Sequence, residues 1–500
     1  MNQVGLQIWL SRVVLCCFLL LAAERAMAAQ APRPAKSNAT ASKARSPQQV
    51  RALFVSDIHF EPFWDPEKAA RLAGAPVNAW KGILTEPASA DREQRFDELQ
   101  QACGARGPDT SYVLYQSSLK AMREAVPDAK FITVSGDLIA HKFHCKFTKV
   151  LPQASTEEYQ AFVSKTIEFT IEELRAALPS ASVYAALGNN DSDCDDYKLD
   201  AHSEFLKRTG ALVTAHFPDP LQADAQATFE AGGYYAVPLP APMKHAELLV
   251  LDDLFMSRQY TTCGGAKDTT GADEQLDWLR QKLEQARRQH ENVWVMGHIP
   301  PGIDPYSTLR RFRNVCAGEA PEMFLASDDL PNLLAEFGDV VRVGIFGHTH
   351  MDEMRLLRGS EASSTHGDIA IKLVASISPV NGNSPSFTVA AIDAATAQLA
   401  DYQVFTSSNQ TGLDALWKEE YDYDRSFKEP NYSAKTLDSL TKSFVADVPA
   451  IKAASEAYLR YYYVRDRSLE LRLLWPQYSC ALANYTAEGY ASCRCVAPTH

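Results

Sequence analysis

The stretch SVYAALGNND (residues 182–191) contains the feature that decides the fold. Its apolar run stops at Gly188, and two asparagines, Asn189 and Asn190, follow together with Asp191. Asparagine and aspartate side chains hydrogen-bond to nearby backbone groups, which favours a loop over a continued strand. The stretch therefore predicts a buried β-strand whose carboxyl end presents two amides and a carboxylate.

Four other segments repeat this pattern, an apolar run that ends in metal-capable side chains. They are RALFVSDIHF (51–60), KFITVSGDLIAH (130–141), ENVWVMGHIPPG (291–302) and VVRVGIFGHTHMDE (340–353). Helical patterns with apolar residues at three- to four-residue spacing lie between them, at 157–178 and 274–290. Strands that alternate with helices, and strands that are almost continuously apolar, indicate a layered α/β fold with a buried sheet.

The five strand ends are expected to meet, because ligands of open α/β sheets bind outside the carboxyl ends of the strands. A single DxH or GHxH is usually only a loop, so the argument depends on the ordered set of five. Imidazole, carboxylate and amide oxygen suit zinc, manganese or iron. The absence of cysteine from these five strand ends argues against a closed structural zinc site. We therefore expect a shared site for two metal ions, with Asp137 as the bridging carboxylate.

The N-terminal residues have the pattern of an export signal. One early positive charge, Arg12, precedes the apolar run 13–23, and AMA (26–28) offers a cleavage site. The alternative is a membrane anchor, although the run is short for a membrane span. We expect residues 1–28 to be a signal peptide and 29–48 a flexible linker, in a protein that is secreted or periplasmic.

The cysteines support export. Removal of residues 1–28 leaves eight of them, at 103, 145, 194, 263, 316, 480, 493 and 495. An even number in an exported chain predicts disulfides, and Cys480, Cys493 and Cys495 are expected to staple the C-terminus. A cysteine zinc site is the alternative, but the chain has no pair of CxxC knuckles.

Composition limits the partners of the protein. The chain has 500 residues, of which 46% are hydrophobic, and a net charge of −13. This charge argues against nucleic acid or an anionic membrane as the main partner, whereas bound cations would still permit an anionic substrate. The expected partners are a phosphate-ester substrate and, transiently, a membrane surface.

The five motifs, read as DxH, GDxx, GN[HN][DE], GHxx and GHxH, resemble the calcineurin-like metallophosphoesterase superfamily over residues 51–400. GDxxxH (136–141), GHIPPG and GHTHMD, followed by a C-terminus with cysteines and WKEEYDYD, resemble its acid sphingomyelinase-like phosphodiesterase branch. The resemblance implies a four-layer αββα sandwich at 49–405. After about residue 405 the sequence becomes rich in aromatic residues, and segments such as ALWKEEYDYDRSF (415–427) have a helical pattern, which predicts a helical, cysteine-bearing C-terminal subdomain at 406–500.

The resemblance also implies roles for individual residues. Asp57, His59 and His350 would hold one divalent ion, Asn189, His298 and His348 the other, and Asp137 would bridge them. The ions are expected to be zinc, with manganese or iron as alternatives. A hydroxide that bridges the two ions would attack phosphorus and hydrolyse phosphodiester, phosphoanhydride or phosphomonoester bonds.

Asn190 departs from the sphingomyelinase-like pattern, which has histidine here, and an asparagine cannot act as a general acid. His141 is then the expected proton donor, unless it is only a surface or supporting histidine. Asp191 is expected to orient its neighbours, whereas Asp193, Asp195 and Asp196 are expected to form a solvated loop.

Two alternatives stay open. The GNND form is similar to that of endopolyphosphatase-like members, so the protein could be a polyphosphate or nucleotide phosphohydrolase. A basic cleft between the insertion 61–127 and the C-terminal helices would favour such polyanions, and an apolar rim would favour lipids. The second alternative is a catalytically weak protein that binds metal.

Overall fold

The computed structural model describes residues 49–359 and 367–495. The predicted signal peptide and linker lie outside these ranges. Within them, no helix combines the length and the apolar composition that a membrane span requires.

The strands of the described residues form two six-stranded sheets. In chain order they are β1 (Gln49–Val55), β2 (Phe131–Ser135), β3 (Ser182–Ala186), β4 (Tyr235–Pro238), β5 (Ala246–Val250), β6 (Asn292–Met296), β7 (Val341–Phe346), β8 (Glu353–Leu357), β9 (Ile369–Leu373), β10 (Ser386–Asp393), β11 (Leu399–Ser407) and β12 (Trp417–Asp422). The first sheet has the order β12-β11-β10-β1-β2-β3, and the second has the order β4-β5-β6-β7-β9-β8. Neighbours β1, β2 and β3 are parallel, as are β5, β6, β7 and β9, so each sheet gathers several carboxyl strand ends at one edge.

The helices connect and cover these sheets. In chain order they are α1 (Pro66–Gly74), α2 (Trp80–Thr85), α3 (Arg92–Ala102), α4 (Tyr112–Ala125), α5 (Phe143–Val150), α6 (Thr156–Ala177), α7 (Glu204–Thr214), α8 (Leu221–Gly232), α9 (Thr270–Gln289), α10 (Pro305–Arg310), α11 (Asp329–Glu336), α12 (Tyr423–Phe427), α13 (Ala434–Ala446), α14 (Ala453–Tyr461), α15 (Ser468–Arg472), α16 (Trp475–Ala483) and α17 (Ala487–Cys495). The helical patterns read from the sequence at 157–178 and 274–290 correspond to α6 and α9.

The two sheets pack face to face. Trp294 of β6 makes edge contacts with Phe54 of β1 and Phe131 of β2, at ring-centroid distances of 5.9 and 6.0 Å. On the outer face of the second sheet, Leu279 and Leu283 of α9 share an apolar cluster with residues of β6, β9 and α11. Helices α4 and α6 contact β10 and β3 of the first sheet. The predicted αββα layering is confirmed.

The C-terminal region is helical from α12 to α17, but the prediction of a helix over 415–427 is wrong for its first half. Residues 417–422 form β12, which pairs antiparallel with β11, and only α12 after them is helical. Trp417 packs against Phe387 of β10 at 5.5 Å and donates its indole N–H to Ser117. The lysine and glutamates of this segment favour a helix locally, and pairing with the sheet overrides that preference.

Four disulfides join the eight cysteines that follow the predicted signal. The pairs are Cys103–Cys145, Cys194–Cys263, Cys316–Cys495 and Cys480–Cys493. The expected C-terminal staple is thus confirmed, and the bonds agree with an oxidising, extracellular location.

Candidate metal centre

Five parallel strands deliver the seven predicted ligands to one place. Asp57 and His59 follow β1, Asp137 follows β2 and Asn189 follows β3, all in the first sheet. His298 follows β6, and His348 and His350 follow β7, in the second sheet. Because the sheets pack face to face, their carboxyl edges meet, and the backbone N–H of His348 donates to the carboxylate of Asp57 across the gap at 3.1 Å.

Five of these residues have a left-handed backbone, which is costly for any residue other than glycine. The φ angles are 47° for Asp57, 45° for His59, 56° for Asp137, 72° for His348 and 66° for His350. Such conformations persist only where the surrounding structure enforces them, and they cluster at functional sites. The strand ends are therefore built to aim these side chains.

Close approach of the backbones explains two of the adjacent glycines. A Cβ at Gly188 would collide with the backbone nitrogen and carboxylate of Asp137, and one at Gly347 would collide with Ser56 and Asp57. The loops can meet only because these positions carry no side chain.

The first ligand cluster consists of Asp57, His59 and His350, all at most 2% exposed. His59 Nε2 lies 3.2 Å from His350 Nε2. Asp57 Oδ1 lies 3.4 Å from His350 Nε2 and 3.9 Å from His59 Nε2. These three ligand atoms thus lie close enough together to bind one cation.

The second cluster consists of Asn189, His298 and His348. Asn189 Oδ1 lies 2.9 Å from His348 Nδ1 and 3.1 Å from His298 Nε2. Asp137 lies between the clusters, because its Oδ2 is 3.3 Å from His59 Nε2 and 3.2 Å from His298 Nε2. One carboxylate oxygen is therefore shared by both groups.

The hydrogen bonds of two imidazoles show that a cation suits this arrangement. Nδ1 of His59 faces the carbonyl oxygen of Ile139 at 2.9 Å, and Nδ1 of His298 faces that of Ser135 at 2.7 Å. Each Nδ1 must donate, so in the neutral ring each Nε2 carries a lone pair, and both lone pairs face the oxygen of Asp137. Lone pairs that face a carboxylate repel each other unless a positive charge lies between them, and a divalent cation supplies that charge.

Without a cation, a proton takes this role at His298. Burial alone would lower the pKa of His298, but the carboxylates of Asp137 and Asp57 outweigh burial and raise it to about 10. Burial lowers the pKa of His59 to about 4 and that of His348 to about 3. Only one of these three ligands must therefore lose a proton near neutral pH before it can bind a cation.

Two buried aspartates hold the ligand loops in position. Asp191 accepts from the backbone N–H groups of Leu138 and Gly188, at 2.8 and 2.9 Å. Both of its carboxylate oxygens are therefore engaged in holding the loops. Asp253 accepts from the N–H groups of His298 and Ile299, at 3.0 and 2.9 Å. The sequence interpretation missed Asp253, although it follows the apolar strand β5 just as the ligands follow theirs.

The loop after Asn190 differs from its prediction. The side-chain Nδ2 of Asn189 donates to Asp196 at 2.8 Å, which turns Oδ1 of Asn189 towards the two histidines. Asp193 is 7% exposed and pairs with Arg208 at 3.2 Å. The prediction of a solvated loop is therefore wrong for Asp193, whereas Asp196 is exposed and contacts Asn189 from the surface.

Asn190 interacts with the shared carboxylate. Its backbone N–H donates to Asp137 Oδ1 and its side-chain Nδ2 donates to Asp137 Oδ2, each at 2.9 Å. Asn190 thus fixes the plane of the Asp137 carboxylate.

His141 lies beside the first cluster, with its ring stacked on that of His59 at a centroid distance of 3.9 Å. Its Nδ1 lies 3.0 Å from Asp109 Oδ1, and its backbone N–H donates to Asp109 Oδ2. Burial would lower the pKa of His141, but Asp109 outweighs burial and raises it. Asp109, which the sequence interpretation missed, also accepts from Ser378 and lies 3.9 Å from Lys146.

A cavity of about 440 Å³ opens onto the two clusters. Its lining includes Asp137, His141, Asn189, Asn190, His348 and His350. Six aromatic residues form much of its wall, namely Tyr197, Tyr306, Phe324, Tyr462, Tyr463 and Tyr478. Four cations also line it. Arg355 pairs with Glu353 of the same lining at 2.9 Å, whereas none of the described carboxylates lies within ion-pair distance of Arg106, Lys142 or Arg310. The carboxylates of Asp196 and Asp304 line the cavity too.

Comparison with known proteins agrees with this geometry. Residues 50–352 match the profile described as calcineurin-like phosphoesterase. The chain is 26% identical to acid sphingomyelinase-like phosphodiesterase 3b of Mus musculus over 405 residues, which cover 77% of this chain and 80% of the relative. It is 24% identical to the cyclic GMP-AMP phosphodiesterase SMPDL3A of Bos taurus over 400 residues, with the same coverage of both chains.

Among solved structures, a dimetal phosphatase from Danio rerio aligns with 77% of this chain and 99% of its own, at 12% identity and a TM-score of 0.38.

Proposed function

Because this chain belongs to the calcineurin-like phosphoesterase family, we propose that it is an exported phosphodiesterase whose seven clustered side chains hold two divalent ions. The chain is a hydrolase of phosphoric ester bonds, and its family uses divalent metal ions. The observation that carries the proposal for two ions is the single oxygen of Asp137 that lies 3.3 Å from His59 Nε2 and 3.2 Å from His298 Nε2. Zinc is the proposed metal, because the set of imidazole, carboxylate and amide ligands suits it.

Two bound ions would activate water and neutralise the charge of the phosphate oxygens. The remaining steps belong to the chain itself. Asn190 holds the Asp137 carboxylate through two donors, so the shared oxygen keeps its orientation during turnover. Asp191 and Asp253 fix the loops that carry Asp137, Asn189 and His298, which keeps the ligands preorganised.

His141 is the proposed donor of a proton to the departing oxygen. It lines the cavity, and its Nδ1 is engaged by Asp109, which leaves Nε2 for the substrate. Asp109 acts as a positioning residue that holds the ring and favours its protonated form. Asn190 cannot replace His141, because an amide does not transfer a proton at neutral pH.

The cavity supports an organic, anionic phosphodiester as the substrate. Its aromatic wall offers stacking and apolar contact. Arg106, Lys142 and Arg310 outnumber Asp196 and Asp304 on the same lining and would attract a second negative charge. The names of the relatives point to lipid and cyclic dinucleotide diesters, and the cations of this cavity favour the anionic members of that range.

A second candidate is a nucleotide or polyphosphate phosphohydrolase. The same three cations favour it, since a polyphosphate carries several charges that could contact all of them. The aromatic wall would have no role with inorganic polyphosphate, which makes the organic diester the better fit.

A substrate panel tests both candidates. The mature chain, reconstituted with Zn²⁺, Mn²⁺ or Fe²⁺, would be assayed on bis-p-nitrophenyl phosphate, a cyclic dinucleotide, sphingomyelin, nucleoside triphosphates, polyphosphate and phosphomonoesters. Asp277→Asn, a change at an exposed carboxylate outside the cavity, is the matched control.

We expect cation-dependent hydrolysis of diesters, with the anionic organic diesters preferred, and two ions for each chain. Full turnover after rigorous metal depletion would contradict the proposal. Preference for polyphosphate would select the second candidate. Two bound ions without turnover of any ester would select the metal-binding alternative.

A further inference from the structure

The segment PYSTLRRFR (305–313) forms one wall of the cavity mouth and carries two unusually exposed aromatic side chains. Phe312 is 90% exposed and Tyr306 is 56% exposed. Tyr306, Ser307 and Arg310 line the cavity itself. Transfer of these two rings into an apolar phase would remove a large apolar area from water, which favours contact of this segment with such a phase.

The backbone holds Phe312 outward. Its φ angle of 53° places a bulky residue in the left-handed region, directly after the end of α10. Arg311 and Arg313, on either side of it, both pair with Glu322, at 3.5 and 2.7 Å. Phe312 is therefore presented by a braced turn, and its exposure does not result from a loose loop.

The charge around Phe312 is opposite to that of the whole protein, which is −13. Glu322 is shared by three arginines, since Arg258 also pairs with it at 2.9 Å. Arg310 has no carboxylate within ion-pair distance among residues 49–359 and 367–495. The surroundings of Phe312 thus carry four guanidinium groups. They face three carboxylates, namely Glu322, Glu319, which accepts from the backbone N–H of Asn314 at 2.7 Å, and Asp304 at the start of α10, so positive charge is in excess.

We propose that segment 305–313 docks the protein onto an anionic lipid surface. Phe312 and Tyr306 would enter the headgroup region, and Arg310 together with the partly neutralised arginines would contact lipid phosphates. A lipid surface fits better than a protein partner, because the apolar element consists of separate protruding rings among arginines and not of a groove or a continuous patch. Docking in this way would place the cavity mouth next to the surface.

Vesicle binding tests this surface without using catalysis, so its outcome is independent of the proposed function. The metal-loaded mature chain would be sedimented with vesicles of phosphatidylcholine alone and with vesicles that contain phosphatidylserine. We expect binding only to the anionic vesicles and its loss at high salt, because ions screen the arginines.

Two variants measure the contributions of the segment. Phe312→Ser should weaken binding about tenfold, since a ring no longer enters the apolar phase. Arg310→Gln should weaken it about fivefold, as expected for one cation near an anionic surface. Leu413→Ser is the matched control, because Leu413 is 66% exposed but lies in the connection between β11 and β12.

Phe312→Trp keeps the surface intact and reports on its environment. Its fluorescence should shift to the blue with anionic vesicles beyond any shift of the wild type, and thermal unfolding would confirm that each variant folds. Three outcomes would overturn the proposal: no binding to anionic vesicles, which would leave a protein partner as the occupant; equal binding by Phe312→Ser; or a larger loss with Leu413→Ser.

Discussion

The two ligand clusters share Asp137 but differ in charge and in access. The first cluster has a carboxylate of its own, Asp57, whereas the second has the neutral amide of Asn189 in the corresponding place. Of the first cluster only His350 lines the cavity, while Asn189 and His348 of the second both do. A cation in the first cluster would therefore be bound more tightly, and a cation in the second would be more accessible to substrate and solvent.

The largest expected effect follows from removing what the clusters share. Asp137→Asn should lower diesterase activity by at least about a thousandfold, because the neutral amide binds both cations weakly and activation of water is lost. Elemental analysis should show fewer than two ions for each chain. The Asp277→Asn control should keep both ions and its activity. An Asp137→Asn protein that retained two tightly bound ions would show that Asp137 is not their common ligand.

A second prediction tests whether His141, which stacks on His59 of the first cluster, is the proton donor. His141→Ala should slow diesters with poor leaving groups about a hundredfold or more, and bis-p-nitrophenyl phosphate by only a fewfold, because nitrophenolate leaves without a proton. Asp109→Asn should move the alkaline side of the pH–rate profile to lower pH in the same assay, since the Asp109 carboxylate raises the pKa of His141 and His141 must be protonated to donate. Equal losses on both kinds of ester would exclude His141 as the donor.

These comparisons also show which parts of the site could be read from the sequence. The ligands were predictable because each follows an apolar strand, so the local pattern already encodes its place at a sheet edge. Asp253 follows β5 in the same way and could have been found. Asp109 acts on His141 across 32 residues, and Asp196 turns the amide of Asn189, through contacts that exist only after the loops have folded.

The same distinction explains the error in the fold. Residues 417–422 carry a lysine and glutamates that favour a helix. They form β12 because they pair with the edge of β11, and the local sequence does not encode that pairing. The boundary at 405/406 between a catalytic domain and a C-terminal subdomain stays a prediction, and β12 adds a strand beyond it to the first sheet.

A third prediction concerns pH. In the cation-free protein His298, with a pKa of about 10, keeps a proton on the ring at neutral pH, and a cation must displace that proton. The affinity of the second cluster should therefore rise about tenfold for each pH unit, or about a hundredfold between pH 7 and 9. Titration with a metal-buffering chelator would measure this slope. An affinity that does not change with pH would mean that His298 binds its cation without losing a proton.

The smallest expected effect separates the clusters directly. Asp196→Asn leaves the seven ligands in place but weakens the acceptor that orients Asn189, so the affinity of the second cluster should fall about tenfold while the first is unchanged. Stepwise removal by a chelator, followed by the remaining metal content, resolves the two sites. The control Asp277→Asn changes an exposed carboxylate outside the cavity and should leave both affinities unaltered. Equal weakening of both clusters by Asp196→Asn would contradict the division, since the side chain of Asn189 contacts His298 and His348 of its own cluster directly and reaches His59 only through His298 and Asp137.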